Sequence, residues 1–334
     1  MPQRTVLHVK GLSTSFNTPE GIVRAVDGIS FTLQQNRCLA LIGESGAGKS
    51  VTALSLLRLV PVPGKITGGQ VCLEDCDLLK LPTAAMRTIR GKEMALIFQD
   101  PLASFNPVIT VGSQFVETIL THEPVSKATA RKMTFAKLTG VGLPAEQVYH
   151  SYPFQLSGGM RQRAAIALAL ALQPRVLIAD EPISFLDVTL QLQILGELKR
   201  QLEENRFTLL LITHDLAAAS TIADDVAVIY AGRIVEQGPL QQVFGRPKHP
   251  YTNALLRSHP SFGRGRRLEP VEGPSPSPLH LPAGCAFHPR CPEMLPCCCN
   301  AAPELLGAAG EHRVACYRFN TLGIKSIGTE AVRA

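Results

Sequence analysis

No stretch of this 334-residue chain is apolar for long enough to cross a bilayer. The longest run, Ala164 to Leu172, is about half of what a span requires. The opening MPQRTVLHVKGL has no apolar core followed by a cleavage site, so it does not read as a signal peptide. A strong charge of one sign is also missing: the net charge of +6 is mild and carries little weight as a sign of a polyanionic partner or an acidic membrane surface. No internal repeat is visible. With 45% hydrophobic and 18% charged residues the chain is too apolar for disorder, and its length allows a full α/β core with a smaller appendage. The expectation is a soluble, cytosolic protein that reaches any membrane through a partner.

Cysteine is present but unevenly placed. Cys38, Cys72 and Cys76 are scattered, whereas Cys285, Cys291, Cys297, Cys298, Cys299 and Cys316 crowd the C-terminal part. In a reducing compartment such a cluster reads as metal ligands before disulfides. The texture changes after Ser258, where Gly and Arg are followed by the Pro/Ser-rich GPSPSPLHLP, a segment that prefers extended backbone. A boundary is expected near residue 260, with domains at 1–260 and 261–334, and the last dozen residues are expected to fray.

Short strands are expected at Val6–Val9, Val23–Val26 and Ile29–Leu33. Arg37–Ile42 reads as a buried strand running into a glycine loop, and Ser50–Leu59 as an amphipathic helix stopped by Pro61, Pro63 and Gly64. Strand character returns at Gln70–Leu73 and Met94–Phe98. The pattern turns helical from Val111 to about Tyr152. An Ala-rich helix over Gly159–Leu172 is closed by Pro174. Buried strands of the parallel type follow at Val176–Ala179 and Leu209–Thr213, separated by a helix over Leu190–Asn205. Val226–Tyr230 and Arg233–Gln237 form a hairpin.

Four clusters on this frame, with Gln99 beside them, carry chemistry. Gly43-Glu44-Ser45-Gly46-Ala47-Gly48-Lys49-Ser50 fits G-x-x-x-x-G-K-[ST] in a strand–loop–helix context. Glycines let the loop wrap so that backbone N–H groups and the helix N-terminus face a β-phosphate. Lys49 would bridge β- and γ-phosphates, and the Ser50 hydroxyl would sit on Mg²⁺. Asp180 and Glu181 end a strand, at the sheet edge where such folds bind ligands. Asp180 would hold the magnesium through water and Glu181 would orient the attacking water; a lone Asp-Glu pair would instead read as a helix cap. Gln99 ends the Met94–Phe98 strand, from where it would reach the metal and the water, although alone it would carry no meaning. His214 ends the Leu209 strand, where a γ-phosphate contact outweighs a structural role. Leu156-Ser157-Gly158-Gly159-Met160 opens a helix whose hydroxyl, amides and dipole favour an anion.

In this order the motifs resemble the nucleotide-binding subunit of an ATP-binding cassette (ABC) transporter. The resemblance covers roughly residues 5–260. It places Walker A at 43–50, the Q-loop glutamine at Gln99, the signature at 156–160, Walker B at 175–181, the D-loop aspartate at Asp187 and the switch histidine at His214. It implies an α/β P-loop NTPase fold with a RecA-like core, an antiparallel β subdomain and a helical signature subdomain at about 101–160. It also implies ATP and Mg²⁺ as ligands. Phe16 is the candidate aromatic for stacking on adenine. Head-to-tail pairing is implied, with each Ser157-Gly158-Gly159-Met160 signature covering the γ-phosphate on the opposite subunit.

Met160 in LSGGMRQR, the stretch FQDPLASFNPV and Lys248-His249-Pro250-Tyr251-Thr252 resemble the oligopeptide/dipeptide/nickel branch of importers. That branch implies a second ATPase subunit, commonly a paralogue, two membrane-spanning permease subunits and an extracytoplasmic solute-binding protein. It places the chain at the cytoplasmic face of the inner membrane and leaves no role for nucleic acid. Two departures stand out. Phe185 lies where small polar residues are usual before Leu186-Asp187, and Val51 replaces a hydroxyl residue, leaving only its backbone N–H for the α-phosphate.

Cys285-x5-Cys291-x6-Cys298-x17-Cys316 supplies four thiolates with gaps wider than the usual zinc pairing. The pattern resembles the same branch's C-terminal segment, in which a [4Fe–4S] cluster can be bound, and four-thiolate ligation suits that cluster. Zinc and a metal-free tail remain the alternatives. The branch register, counted to Pro303 and Leu305, favours Cys298 over Cys297 and Cys299. A competing class is a soluble ABC ATPase acting on nucleic acid or ribosomes, but such proteins carry coiled coils, tandem cassettes or zinc modules inside the cassette. A third, a cassette kept only for assembly, would require a damaged site, and Lys49, Asp180, Glu181 and His214 are all present.

Overall fold

Strands that read as continuous apolar runs are fully buried, as parallel strands covered on both faces must be. In the computed structural model, which describes residues 4–184, 186–204, 207–262, 270–307 and 312–319, eleven strands and ten α-helices are defined. The chain opens with β1 (Thr5–Thr18) and β2 (Gly21–Gln34), then β3 (Cys38–Ile42), α1 (Lys49–Leu56), β4 (Gly64–Leu73) and β5 (Cys76–Asp77). After α2 (Thr83–Ile89) and β6 (Met94–Ile97) come four helices: α3 (Val111–His122), α4 (Lys127–Gly140), α5 (Ala145–His150) and α6 (Gly158–Ala169). β7 (Val176–Asp180), α7 (Val188–Glu203), β8 (Thr208–Thr213) and α8 (Leu216–Ile222) alternate. β9 (Asp225–Tyr230), β10 (Arg233–Pro239), α9 (Leu240–Gly245), α10 (Pro250–Ser258) and β11 (Arg313–Val314) complete it. Phe185 and the last dozen residues, on which two sequence expectations fell, lie outside the described residues.

The chain forms two compact units. The first takes Leu33–Cys38 and Leu73–Ile212 with the described residues before His8. Its parallel strands pair Met94 to Val176 and Ile97 to Ala179 between β6 and β7, and Val176 to Thr208 and Asp180 to Ile212 between β7 and β8. Its helical part closes around Phe105, Val111, Phe115, Leu138, Val148 and Leu156, with the alanines of α6 on the same core. Alanine is the residue that lets α6 approach closely. At Gly112 a Cβ would meet the Tyr149 ring at 2.3 Å, so this glycine is needed for α3 to pass beneath it.

The second unit takes His8–Thr32, Leu39–Cys72 and the residues from Thr213 onward. Sequence reading gave three short strands before residue 34, but the structure has two of 14 residues each. The glycines account for the difference. Gly11 and Gly28 have φ of 59° and 72°, and each donates its N–H to a serine on the opposite strand, Gly11 to Ser30 at 2.9 Å and Gly28 to Ser13 at 3.0 Å. The strands therefore continue through positions where the apolar alternation breaks. In the same unit β3 pairs in parallel with β9, Leu39 opposite Asp225 and Ile42 opposite Val228, and β9 turns into antiparallel β10. β11 adds to the β10 edge through Glu236–Val314 and Gln237–Arg313 pairing.

The segment Lys248–Thr252 is a clamp. Glu236 is fully buried, and its carboxylate accepts N–H bonds from Lys248 at 2.7 Å and His249 at 2.9 Å and contacts the His312 ring. A buried carboxylate persists only when so partnered. His249 in turn caps α10, its Nδ1 accepting the Tyr251 N–H at 3.1 Å, with Pro250 at the first helical position.

Burial lowers the His249 pKa to about 3, so the ring stays neutral. Below about pH 6.5 the unfolded chain binds a proton that the folded chain refuses until about pH 3, so this site loses stability as pH falls through that window, by about 1.4 kcal/mol per pH unit. The fall in melting temperature between pH 7 and pH 5 should be smaller in His249→Asn, which keeps an acceptor for Tyr251, than in the parent. Equal falls would show that His249 does not set this dependence.

Candidate functional site

β3 delivers the chain into the glycine loop with no space to spare. A Cβ on Gly43 would meet the Ile229 carbonyl oxygen at 2.3 Å, and one on Gly48 would meet that of Ala25 at 2.2 Å. Gly46 and Gly48 have φ of 78° and 102°, a region that favours glycine. Gly48 is the N-cap of α1, so Lys49 and Ser50 begin the helix with their N–H groups directed outward from its start. The Lys49 side chain is only 7% exposed, and its ammonium donates to the carbonyls of Gly43 at 2.8 Å and Glu44 at 2.9 Å. Ser45 and Gly46 are exposed, Ala47 is buried, and Ser50 and Val51 are half-buried. This is an anion cradle in which the lysine is folded back onto its own loop.

Glu44 does not point free. Its N–H donates to the Tyr251 hydroxyl at 2.9 Å. Its carboxylate takes two bonds from Arg290, Nη1 to Oε2 at 2.9 Å and Nη2 to Oε1 at 3.1 Å, and a further one from the Ser275 hydroxyl. Phe16, on β1, is half-buried with its ring against Gly64, where a Cβ would meet Phe16 Cε1 at 2.5 Å.

In the first unit the β6–β7–β8 register sets Gln99 and Glu181 just past the same edge, each two residues beyond the paired Ile97 and Ala179. Gln99 is exposed, while Asp180 and Glu181 are buried. Glu181 has φ of 50°, which costs a non-glycine residue about 1–3 kcal/mol. Its N–H donates to Ile212 O at 2.9 Å, and its Oε2 accepts the Ser184 hydroxyl at 2.9 Å. The backbone is thus bent where a carboxylate must leave the strand. Ser157 caps α6, accepting the Met160 N–H at 3.3 Å, and both Ser157 and Gly158 are exposed. Gly159 faces Leu190 of α7, whose Cδ1 would lie 2.7 Å from an added Cβ. Asp187 caps α7 through the Leu190 N–H at 3.0 Å. In the second unit His214 is exposed, just ahead of α8, whose start Asp215 caps through Ala217 and Ala218.

The cysteine tail brings four thiols together. Cys285, Cys291, Cys298 and Cys316 line one small cavity of about 10 Å³, walled by His249, Pro250, Phe287, Pro303 and Tyr317. Cys297 and Cys299 are not among its lining residues. The tail is held shut by close backbone approach: Cys285 N–H donates to Cys298 O at 2.8 Å, and at Gly284, with φ of 70°, a Cβ would meet Cys298 O at 2.2 Å. Burial pushes the thiols of Cys285, Cys291 and Cys316 up to about 11. Among the described residues no three His, Cys, Asp or Glu side chains are arranged to hold a single metal ion.

Comparison with known proteins places these features. Residues 26–184 match the ABC transporter family, and residues 235–298 match the oligopeptide/dipeptide transporter C-terminal region. The chain is 43% identical over 314 residues to the dipeptide transport ATP-binding protein DppD of Haemophilus influenzae, covering 93% of this chain and 95% of that one. It is 42% identical to the oligopeptide transport ATP-binding protein AppD of Bacillus subtilis, covering 96% and 98%. The chain belongs to the ABC transporter ATP-binding proteins of the oligopeptide/dipeptide branch. Two solved structures share the cassette fold. The dimeric bacterial ABC transporter cassette MJ0796 aligns with a TM-score of 0.64 at 25% identity, covering 70% of this chain and 98% of that one. CbiO1 from Clostridium perfringens, part of the transporter complex CbiONQ, aligns at 0.61 and 25%, covering 72% and 91%.

For an ABC protein of this branch, sequence reading passed over three residues at the phosphate loop: Tyr251, Ser275 and Arg290. Tyr251 lies in the Lys248–Thr252 segment and Arg290 in the Gly284–Cys291 stretch, both noted only as marks of the branch. Their contacts with Glu44 span 207 and 246 residues of sequence, which no local pattern reveals. The one available signal was an arginine inside a short cysteine-flanked stretch, Cys285 to Cys291. Gly48→Ala should abolish the loop's geometry. A melting curve should show a loss of stability of about 1–3 kcal/mol or more, together with weakened ATP binding; parent-like values in both would contradict the close packing described.

Proposed function

We propose that the chain is the ATP-hydrolysing subunit of an importer for peptides or related small solutes, including metal chelates. The carrying observation is the phosphate loop with Lys49 on its carbonyls, in a chain aligned over 93% and 96% of its length with relatives named as dipeptide and oligopeptide transport ATP-binding proteins. On this reading ATP phosphates draw Lys49 away from Gly43 O and Glu44 O to a charged acceptor. The N–H groups from Gly43 to Ser50 surround the β-phosphate, that of Val51 meets the α-phosphate, Phe16 stacks on adenine, and Ser50, Gln99 and Asp180 hold Mg²⁺. Glu181 polarises the attacking water and His214 contacts the γ-phosphate, a division suited to a reaction that needs positioning and charge neutralisation.

Ser157, Gly158, Gly159 and Met160 serve the nucleotide of a second ATPase subunit, with Asp187 beside that junction. The exposure of Ser157 and Gly158 at a capped helix start supports this, because an anion can approach them from outside. ATP joins the pair, hydrolysis releases it, and the motion drives two permease subunits served by a solute-binding protein. The chain is then peripheral, at the cytoplasmic face of the membrane. Among the described residues no helix is long and apolar enough to cross it. The cassette occupies 1–260, with its helical subdomain at about 101–160, and the tail 261–334.

The four thiols fit a [4Fe–4S] cluster better than zinc. They line one small cavity, and an all-thiolate set is the ligation such clusters use. Bound there, the cluster would supply cross-linking of four chain segments, with no redox role assigned. Cys285, Cys291 and Cys316 must release their protons to bind it, which burial makes costly without a metal.

Glu181→Gln should lower steady-state hydrolysis by roughly 100-fold or more while ATP binding is kept. Unchanged turnover would remove Glu181 from the role given. For the tail, anaerobically purified protein should be brown and contain iron and acid-labile sulfide. A colourless, zinc-loaded protein would overturn the cluster.

A further inference from the structure

Glu44 sets a physical problem for an anion-binding loop. It is the second residue of the cradle, and a carboxylate there opposes the charge of the phosphates that the loop gathers. The structure answers it with a cation from the far end of the sequence. Arg290 makes a two-bond pair with Glu44, at 2.9 and 3.1 Å. Its side chain is 7% exposed and that of Glu44 22%, so the pair is screened little by solvent.

Arg290 is itself fixed on every side. Nε donates to Glu272 O at 2.8 Å, Nη2 to Val271 O at 3.4 Å and Nη1 to the Tyr230 hydroxyl at 3.3 Å. Its guanidinium lies 5.8 and 5.9 Å from the ring centres of Tyr230 and Phe287. Burial pushes the Tyr251 phenol pKa upward, so that hydroxyl stays neutral and accepts the Glu44 N–H. Three segments after residue 245 therefore converge on one residue of the loop: Tyr251 from α10, Ser275 from the Pro/Ser-rich stretch, and Arg290 from the turn between Cys285 and Cys291.

We infer that Arg290 is a positioning residue for the phosphate loop: it neutralises and orients Glu44, and through it the C-terminal segment sets the affinity of the loop for nucleotide phosphate. The same Glu44 supplies, through its carbonyl, an acceptor for the Lys49 ammonium. Holding Glu44 therefore also fixes where the lysine starts. A bidentate guanidinium does this better than an ammonium, which lacks the planar fork. The inference deepens the proposed function and rests on it, since it presumes that the loop binds ATP.

The test is the dissociation constant of MgATP, measured by calorimetry on the full chain for the parent, Arg290→Met, Arg290→Lys, Glu44→Gln and the double variant. Reactivity of the cysteine thiols monitors whether the tail stays folded. Arg290→Met, which uncovers the Glu44 charge, should bind MgATP about tenfold more weakly. Arg290→Lys should fall between it and the parent. Glu44→Gln together with Arg290→Met should recover most of the loss, because the uncovered charge is gone. Parent-like affinity in Arg290→Met would overturn the inference while leaving the proposed function standing. A loss that Glu44→Gln does not rescue, accompanied by newly reactive thiols, would also overturn it and reduce Arg290 to a support for the tail. A parent chain that binds no MgATP would overturn both.

Discussion

The closeness of the glycine loop to its own walls is the constraint on which the rest of this structure depends. Gly43 lies against the Ile229 carbonyl and Gly48 against that of Ala25, with no space for a Cβ at either. The amides of the cradle face outward only because β3, β9 and β2 hold those two glycines in place. A fully buried β3, parallel to β9, is therefore a requirement of the site as well as part of the core.

The C-terminal third serves the same loop. Buried Glu236 receives the N–H groups of Lys248 and His249, His249 caps α10, and α10 presents Tyr251 to Glu44. Tyr251 packs against Tyr230 and Phe287, with ring centres 4.5 and 5.4 Å apart. Phe287 also walls the cavity around the four thiols. A chain of packed rings and charge-assisted bonds thus runs from the cysteine turn to the start of the phosphate loop, all within one compact unit. A two-part reading of the sequence, cassette then tail, hides how much the tail contributes there.

The local elements were legible wherever one residue type controls one conformation. The glycines and lysine of the loop, the apolar β7 and β8, and the Ser157 cap all follow from short-range rules. Two kinds of feature were not legible. The strands expected to end at Val9 and Val26 run on through Gly11 and Gly28, where the apolar alternation fails, because serine hydroxyls across the ladder carry them through. The hold on Glu44 depends on partners more than 200 residues away, and nothing in the loop's own sequence distinguishes a tethered glutamate from a solvated one. The bend at Glu181, with φ of 50°, was equally hidden, since Asp-Glu at a strand end gives no sign of a left-handed backbone.

The central claim is that the loop from Gly43 to Val51 is an ATP site whose phosphate charge is met by Lys49. Equilibrium binding of radiolabelled MgATP to the intact chain and to Lys49→Ala tests this most directly. The account predicts saturable, magnesium-dependent binding by the intact chain and at least a tenfold loss, about 1.4 kcal/mol, in the variant. Equal affinity in the two proteins would contradict it.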